Sequence, residues 1–545
     1  KNALYADHSV SATDMTINSG AGNISGGLSG IFARNLGSGD TTVTTGSGTV
    51  TGTADHGVHV IGQGTDVIIN TGTGTISGNL NAIYADNSGS GDTIVNTSGD
   101  ISGGSNGVVV ANAVTTDDVT INTGAGTVTA TNIGISSVNS GTGSTSITTA
   151  GDVTATSGSG ISASNSGTTL NINVNSGTVS GTVSGIHTVN TGSGVTTITI
   201  AGTISGGTNS ILVGSGQTTV NNTGTIDGDI LFNTDDDTLS LAAGSTFSSD
   251  ADGGVGNDTF LVAGDHTLGT ITDFETVDIS NGTIAWNSAA SNVGDLTITN
   301  ANVSFGGVAG SVSLDVNSML SGTGMFDDVH INGIISPGNS AGTINVSGNY
   351  TMEQTAVYHA EVFADGTSDL IDVGGAVALN GKLEIDIVDD PEDYDIKGIF
   401  TILSADGPIT GDFVTVTSEN TTTTLYVMHH LRNSNVEVDF INPTEYFAPA
   451  GETINQKAAS VILPHLAISS EEAEKLFHAD DVEINEKLEE LSGNRHGTMA
   501  GIIASDGIEY MKTVVSQTNA VGKGNAATWV NSFGLDSKAQ TDGNA

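Results

Sequence analysis

The sequence predicts an all-β protein built as a right-handed parallel β-helix, a solenoid of short stacked strands. Three observations predict this fold. Apolar residues recur with a period near 25, glycine is abundant at 76 of 545 residues, and no repeated segment shows the 3.6-residue period of an amphipathic helix. A hydrophobic content of 36% with only 4% aromatic residues suits a thin core in which each coil contributes a few β-branched side chains.

Residues 1–230 contain the regular repeats of about 25 residues, and each repeat has three apolar positions. The first position is occupied by Leu4, Ile31, Val58, Ile83, Val108, Ile135, Ile161, Ile186 and Ile211. The second is occupied by Ile24, Val50, Ile76, Ile101, Val128, Val153, Val179 and Ile204. The third is occupied by Ile17, Val43, Ile69, Val95, Ile121, Ile147, Ile172 and Ile198. Three short strands separated by glycine-rich turns describe one coil, and stacking buries like residues on like.

Asparagine often follows the third apolar position, which predicts a ladder of side-chain amides along the axis. The predicted members are Asn18, Asn70, Asn96, Asn122, Asn173 and Asn221, with threonine interrupting at Thr44, Thr148 and Thr199. In residues 231–333 the spacing loosens while alternating strands persist, so less regular coils are expected there.

Residues 334–442 carry a more specific pattern. Residues 336–340 read Ser-Pro-Gly-Asn-Ser and residues 348–350 read Gly-Asn-Tyr, and strand-like segments follow at 368–376, 379–385, 400–405 and 411–416. This order resembles the end of the passenger domain of bacterial autotransporters, the proteins of type V secretion. The resemblance implies a C-terminal passenger cap with an autochaperone-like role, and a cap would also cover the open end of a solenoid.

The same resemblance covers the rest of the chain. Residues 443–523 are expected to form a helical linker, with a capped start at Ser469 and a pore helix near 508–518. Residues 524–545 look like the truncated start of the outer-membrane β-barrel, where Trp529 and Phe533 resemble girdle residues.

The composition limits the kinds of bond and partner that can be expected. Cysteine is absent, which removes disulfides and thiolate metal sites. The net charge is −47, and Lys1 and Arg34 are the basic residues before Lys382. A nucleic acid partner is therefore not expected, because phosphate binding needs clustered Lys and Arg.

No cofactor is expected, and calcium is the alternative. Residues 253–260 resemble a single calcium-binding nonapeptide turn, and an acidic triplet precedes them by about one coil. The candidate ligands are Asp235, Asp237, Asn257 and Asp258. Such sites need consecutive copies of the turn, so an ordinary solenoid turn is the favoured interpretation.

Histidines offer two further metal candidates. Asp55, His56 and His59 have a spacing compatible with zinc, but their place at a turn-to-strand junction favours exposed polar residues. His429 and His430 are adjacent, so in a strand they point to opposite faces and do not share an ion.

No catalytic motif is evident, and the chain is not expected to be an enzyme. The Gly-Asp-Ser-Gly motif of serine-protease autotransporters is missing, and the scarcity of basic residues disfavours the usual active face of a polysaccharide-cleaving β-helix. Some relatives cleave themselves at an asparagine, for which Asn519 is a poor match.

The expected function is therefore that of an adhesin, a surface-interaction rod for cell attachment or autoaggregation. Its expected location is the bacterial cell surface, anchored in the outer membrane or secreted. The expected partners are glycans or proteins of the host cell or matrix, like rods on neighbouring cells, and the chain's own outer-membrane barrel. Two alternatives stay open: a structural coat or filament subunit, and a polysaccharide-acting β-helix enzyme.

Overall fold

The computed structural model describes residues 1–441, with gaps at 339, 391–392, 395–397 and 420–425. The described residues form one long parallel β-solenoid, which confirms the predicted all-β class and the parallel stacking of coils. The predicted helical linker at 443–523 and the predicted barrel start at 524–545 lie outside the described residues. Within the described ranges, no helix is long and apolar enough to cross a lipid bilayer.

The strands, numbered in chain order, lie on three faces of the solenoid, named A, B and C. The order A, B, C repeats through β1 Leu4–His8, β2 Met15–Asn18, β3 Ile24–Gly26, β4 Ile31–Asn35, β5 Thr41–Thr44, β6 Val50–Gly52, β7 Val58–Gly62, β8 Val67–Asn70, β9 Ile76–Gly78, β10 Asn81–Asn87, β11 Thr93–Thr97, β12 Ile101–Gly103, β13 Asn106–Asn112, β14 Val119–Thr123, β15 Val128–Ala130, β16 Ile133–Asn139, β17 Thr145–Thr149, β18 Val153–Ala155, β19 Ile161–Asn165, β20 Leu170–Val174, β21 Thr178–Gly181, β22 Ser184–Asn190, β23 Thr196–Ile200, β24 Thr203–Gly206, β25 Asn209–Ser215, β26 Thr218–Asn222 and β27 Thr225–Asp227. The less regular coils contain β28 Ile230–Leu231, β29 Thr238–Leu241, β30 Thr246–Phe247, β31 Ala251–Asp252, β32 Thr259–Ala263, β33 His266–Thr267, β34 Ile271–Thr272, β35 Thr276–Trp286, β36 Asn292–Val293, β37 Asp295–Phe305, β38 Val308–Ala309, β39 Val312–Leu314, β40 Met319–Gly322, β41 Met325–Phe326 and β42 Val329–Ile331. The last coils contain β43 Ile334–Pro337, β44 Thr343–Val346, β45 Tyr350–Met352, β46 Val357–Val362, β47 Leu370–Val373, β48 Val377–Leu379, β49 Lys382–Ile387, β50 Ile399–Ala405, β51 Ile409–Gly411, β52 Thr415–Glu419, β53 Tyr426–Leu431 and β54 Asn435–Ile441.

The three predicted apolar positions are the inward side chains of the three faces. The first position stacks on face A, where Ile31 pairs in register with Val58 and Val58 with Ile83. The third stacks on face B and the second on face C. Apart from Leu4 and Ile24 in the first coil, which are partly buried, these side chains are buried, and each buried one contributes about 1.5–3 kcal/mol through the hydrophobic effect. The predicted repeat is therefore confirmed.

The outward asparagine ladder is confirmed for three of its predicted members. The Nδ2 of Asn122 donates to the Oδ1 of Asn96, and the Nδ2 of Asn96 donates to the Oδ1 of Asn70, both at 2.9 Å. Thr44 and Thr148 occupy the neighbouring register positions, so the ladder is interrupted on both sides as predicted.

A second asparagine column lies inside the solenoid and was not predicted. It occupies the last position of the face A strands, at Asn35, Asn87, Asn112, Asn139, Asn165 and Asn190. The Nδ2 of Asn87 donates to the carbonyl oxygens of Thr65, Gly91 and Asp92, and its Oδ1 accepts from the amide of Gly89. The buried amide thus supplies hydrogen bonds to the turn between faces A and B, where the backbone would otherwise lack partners.

Faces B and C merge in the less regular coils. Strands β35 and β37 each run along both faces and bend at Asn281 and Asn300, whose φ angles are 55° and 49°. Asparagine adopts this left-handed conformation more readily than most residues. The coils also shorten, since Val277 pairs with Leu296 and Leu296 with Val312, steps of 19 and 16 residues.

Aromatic side chains fill the core of these shorter coils. Trp286 packs edge-to-face on Phe305 with ring centroids 4.8 Å apart, and Phe305 contacts Phe326 at 5.4 Å. All three rings are buried. Larger side chains therefore replace the isoleucine and valine stacks where each coil supplies fewer residues.

Two antiparallel strands follow the parallel stack. Strand β54 pairs antiparallel with β50, and β53 pairs antiparallel with β54. Phe440 of β54 packs against Tyr394 and Phe400, at ring distances of 5.1 and 5.4 Å. This pair therefore occupies the edge of face A where a further parallel strand would otherwise add.

We expect Asn87→Ala to destabilise the solenoid by about 2–4 kcal/mol, because it removes four hydrogen bonds at a buried turn. The matched control is Asn96→Ala, in the half-buried outward ladder, for which a loss below about 1 kcal/mol is expected. Urea unfolding measures both losses, and hydrogen exchange of residues 87–93 locates the effect. Equal losses for the two variants would contradict the assigned role of the inner column.

Asp369 gives a pH dependence to the last coils. Its Oδ1 accepts from the amide of Gly342 at 2.7 Å and its Oδ2 from the amide of Glu361 at 3.0 Å. Burial raises the pKa of Asp369 to about 6, although these two amides oppose the shift. A raised folded-state pKa stabilises the fold fully below the unfolded value of 3.8, and this contribution is lost as the pH rises through about 6.

We therefore expect the wild type to lose stability relative to Asp369→Asn between about pH 4 and pH 6. Thermal unfolding at several pH values measures the difference between the two proteins. A constant difference over this range would show that Asp369 titrates normally.

Candidate functional site

Four aromatic side chains form a column on the outside of face A, here called the aromatic column. Tyr5, Phe32, His59 and Tyr84 follow one another in register on β1, β4, β7 and β10. Tyr5 and Phe32 stack with centroids 5.2 Å apart, and His59 contacts Phe32 at 5.0 Å and Tyr84 at 5.1 Å. The column spans four successive coils on the outward side of face A.

Tyrosine and phenylalanine are concentrated in the aromatic column. Residues 1–231 contain three Tyr or Phe residues, and all three belong to the aromatic column. These residues were not predicted from the sequence. The signal was present, because each ring directly follows the first apolar position at Leu4, Ile31 and Ile83.

An ion pair flanks the N-terminal end of the column. The guanidinium of Arg34 holds the carboxylate of Asp7 by two hydrogen bonds, of 2.9 Å from Nε to Oδ1 and 2.5 Å from Nη2 to Oδ2. The hydroxyl of Tyr5 donates to the same carboxylate at 2.9 Å. The bond from Arg34 lowers the pKa of Asp7, so the carboxylate stays ionised. Aromatic, cationic and anionic groups therefore meet on one small surface.

A histidine pair adjoins the other end of the column. His56 stacks on Tyr84 at 5.1 Å and contacts His59 edge-to-face at 4.6 Å. The Nε2 of His56 lies 3.1 Å from the Oδ1 of Asp55. Burial lowers the pKa of His56, against the opposing effect of Asp55, and burial lowers the pKa of His59 to about 4. Both rings are therefore neutral near pH 7.

The structure corrects the expectation that Asp55, His56 and His59 are exposed polar residues. His56 is only 8% exposed, and Asp55 and His59 are partly buried. The chain bends at Gly57, between the two histidines, and their rings lie on the same side with centroids 4.6 Å apart. Within the described part of the chain, these three residues form the one group of His, Asp or Glu close enough to hold a metal ion.

The calcium candidates lie at a corner of the less regular coils, where backbone amides occupy most of their oxygens. Asp235 Oδ2 accepts from the amide of Gly216 at 2.9 Å. Asp237 accepts from the amides of Thr218 at 2.5 Å and Asn233 at 3.4 Å.

Asp258 and Asn257 complete this corner. Asp258 Oδ1 accepts from the amide of Asp237 at 2.6 Å, and the backbone amide and Nδ2 of Asn257 both donate to the Oδ1 of Asp236. Burial raises the pKa of Asp237 to about 7 and of Asp258 to about 6. The carboxylates of the candidates join neighbouring coils through the backbone, and among the described residues they do not gather into a metal-holding group.

Aspartates elsewhere on the solenoid also accept hydrogen bonds from backbone amides of a neighbouring coil. At the turn before face B, the Oδ1 of each aspartate accepts the amide of the residue one coil later. The series runs through Asp14, Asp40, Asp66, Asp92 and Asp118. Part of the large negative charge therefore satisfies backbone donors at the corners.

The two adjacent histidines of β53 contact different carboxylates. His429 Nε2 lies 3.0 Å from Asp412 Oδ1, and His430 Nε2 lies 3.1 Å from Asp439 Oδ1. The two rings therefore do not share one ion.

A comparison with models of known protein families found no match, and a comparison with curated proteins found none either.

We expect calcium to leave the thermal stability of the protein unchanged. Both oxygens of Asp237 already accept backbone hydrogen bonds, so an ion would have to displace them. The Tm in about 1 mM CaCl2 should equal the Tm in a chelator to within about 1 °C. Asp237→Asn should lower the Tm equally in both conditions. A calcium-dependent rise in Tm that Asp258→Asn abolishes would instead establish a calcium site.

Proposed function

We propose that this chain is an adhesive rod of the bacterial surface, the passenger of an autotransporter, and that it contacts its partner through the aromatic column. The observation that carries the proposal is the gathering of every Tyr and Phe of residues 1–231 in one outward column. Beside it lies Arg34, one of two basic residues before Lys382. Tyrosine and arginine are the residue types that most often dominate binding energy at protein interfaces.

A purely structural role explains only part of this surface. Stacked rings stabilise neighbouring coils by about 0.5–1.5 kcal/mol per pair, which accounts for Phe32 and His59 inside the column. It does not account for Arg34, a rare basic residue that lies beside these rings and pairs with Asp7 on the outside of face A. An exposed ion pair of this kind adds little to stability. An arginine beside the rings is better explained as a contact for a partner.

The proposed partner is a glycan or protein of the host cell or its matrix. Tyr5, Arg34 and Asp7 together offer an apolar ring edge, a hydroxyl, a cation and an anion within a few ångströms. Association with a like rod on a neighbouring cell is less favoured, because two chains of net charge −47 repel each other. The same charge argues against nucleic acid.

The proposal includes the remaining features expected of a passenger. Residues 334–442 would act as the C-terminal cap, supported by the antiparallel strands β53 and β54 beside β50. The rod would be anchored in the outer membrane through its own barrel or be secreted. No catalytic step is part of the proposal, and neither the coat subunit nor the polysaccharide-acting enzyme has a structural observation of comparable weight.

An attachment assay tests the proposal. The full chain is displayed on a non-adherent bacterium through a heterologous outer-membrane anchor, and binding to host cells, matrix proteins and immobilised glycans is counted. We expect Tyr5→Ser/Arg34→Gln to reduce attachment at least about tenfold, because two exposed interface residues are removed.

The control is His187→Ser/Leu212→Ser, which changes the same outward position of face A in later coils. It should attach like the wild type. Absence of attachment by a correctly displayed wild type, or an equal loss in the control, would reject the aromatic column as the contact surface.

A further inference from the structure

We propose that Asp55, His56 and His59 form a zinc-binding site beside the aromatic column. One oxygen of Asp55 and one nitrogen of each imidazole all lie within 4.8 Å of one another. Two ligand atoms of one tetrahedral zinc ion stand about 3.3 Å apart when their bonds are about 2.0–2.1 Å long. The 3.1 Å between His56 Nε2 and Asp55 Oδ1 is already close to that separation. This inference does not depend on the proposed adhesive function.

Buried nitrogens without hydrogen bonds are the second observation. Both ring nitrogens of His59 are shielded from solvent and have no hydrogen-bond partner. A neutral imidazole has one donor and one acceptor, so His59 leaves both unsatisfied. Packing among aromatic rings explains the position of the His59 ring but provides no hydrogen-bond partner for its nitrogens. A metal ion provides a partner for one of them.

The surroundings hold the three residues in place. The hydroxyl of Ser29 donates to the Oδ2 of Asp55 at 3.1 Å, which orients the carboxylate and leaves Oδ1 toward His56. Hydrogen bonds of this kind commonly position metal ligands. A Cβ on residue 57 would lie 2.7 Å from the carbonyl oxygen of Ala82 and 2.8 Å from the Cγ2 of Ile76. Only glycine therefore permits the turn that brings His56 and His59 together.

The donor set selects the class of metal. Two imidazole nitrogens and one carboxylate oxygen suit zinc and related transition metals, whereas calcium and magnesium prefer oxygen ligands alone. Three protein ligands leave a fourth tetrahedral position for water. The site is thus distinct from the acidic corner at Asp235–Asp258 in both place and chemistry.

Zinc retention by the full 545-residue chain tests the site. The protein is dialysed against a small excess of ZnCl2 with millimolar CaCl2 and MgCl2 present, and bound zinc is measured by atomic absorption. We expect His56→Gln and His59→Gln each to retain one equivalent fewer than the wild type. Ser29→Ala, which removes only the orienting hydrogen bond, should weaken zinc binding about tenfold.

The control is His187→Gln, a histidine at the same outward position of face A without a neighbouring histidine. It should retain as much zinc as the wild type. Far-UV circular dichroism verifies folding, and Asp55→Asn, which conserves side-chain volume, replaces any histidine variant that fails to fold. The wild type should also show a rise in Tm with zinc, which His187→Gln keeps.

Three outcomes would overturn the site. The first is a wild type that retains no zinc and shows no zinc-dependent rise in Tm. The second is equal retention by the wild type and by folded His56→Gln, His59→Gln or Asp55→Asn. The third is an equal loss in His187→Gln.

Discussion

Each coil of this protein depends on the backbone hydrogen bonds that it shares with the coils before and after it. Because those bonds are parallel and in register, a residue must stand above its counterpart in the preceding coil, as Val58 stands above Ile31. Inward positions accept only side chains that stack without gaps, so isoleucine and valine recur there. Outward side chains do not have to pack in the core, but each is still aligned with its counterparts in the neighbouring coils.

The strict outward alignment turns single residues into columns. Asparagines at one position form a hydrogen-bonded ladder, aspartates at a corner accept amides from the next coil, and rings at a third position stack into the aromatic column. Chemistry that a globular protein assembles from distant loops is here assembled by repeating a residue once per coil. The histidine pair departs from this rule, because Asp55 and His56 lie in the turn and only His59 belongs to the column.

The period, the strand positions and the core of residues 1–230 could be predicted because one position every 25 to 27 residues tolerates only apolar side chains. The inner asparagines could not, since Asn87 also fits an exposed strand end and only the closed turn reveals its four hydrogen bonds. Merging of faces B and C escaped prediction because it rests on the left-handed backbone at Asn281 and Asn300. For the candidate site, the spacing of Asp55, His56 and His59 was visible in the sequence, but their burial follows from Tyr84 one coil later.

The inner asparagines also bear on how such a protein can change in evolution. Asn165 bonds the carbonyl of Thr168 in its own turn and the side chain of Asn190, its counterpart in the next coil, so successive coils repeat the same kind of contact. An in-frame duplication of a single repeat therefore adds one complete coil, and the contacts between the other coils are kept. Each such event lengthens the rod by about 4.8 Å and moves the N-terminal surface that much farther from the last strands. Recombination between repeats can therefore change the length of the rod in steps of one coil.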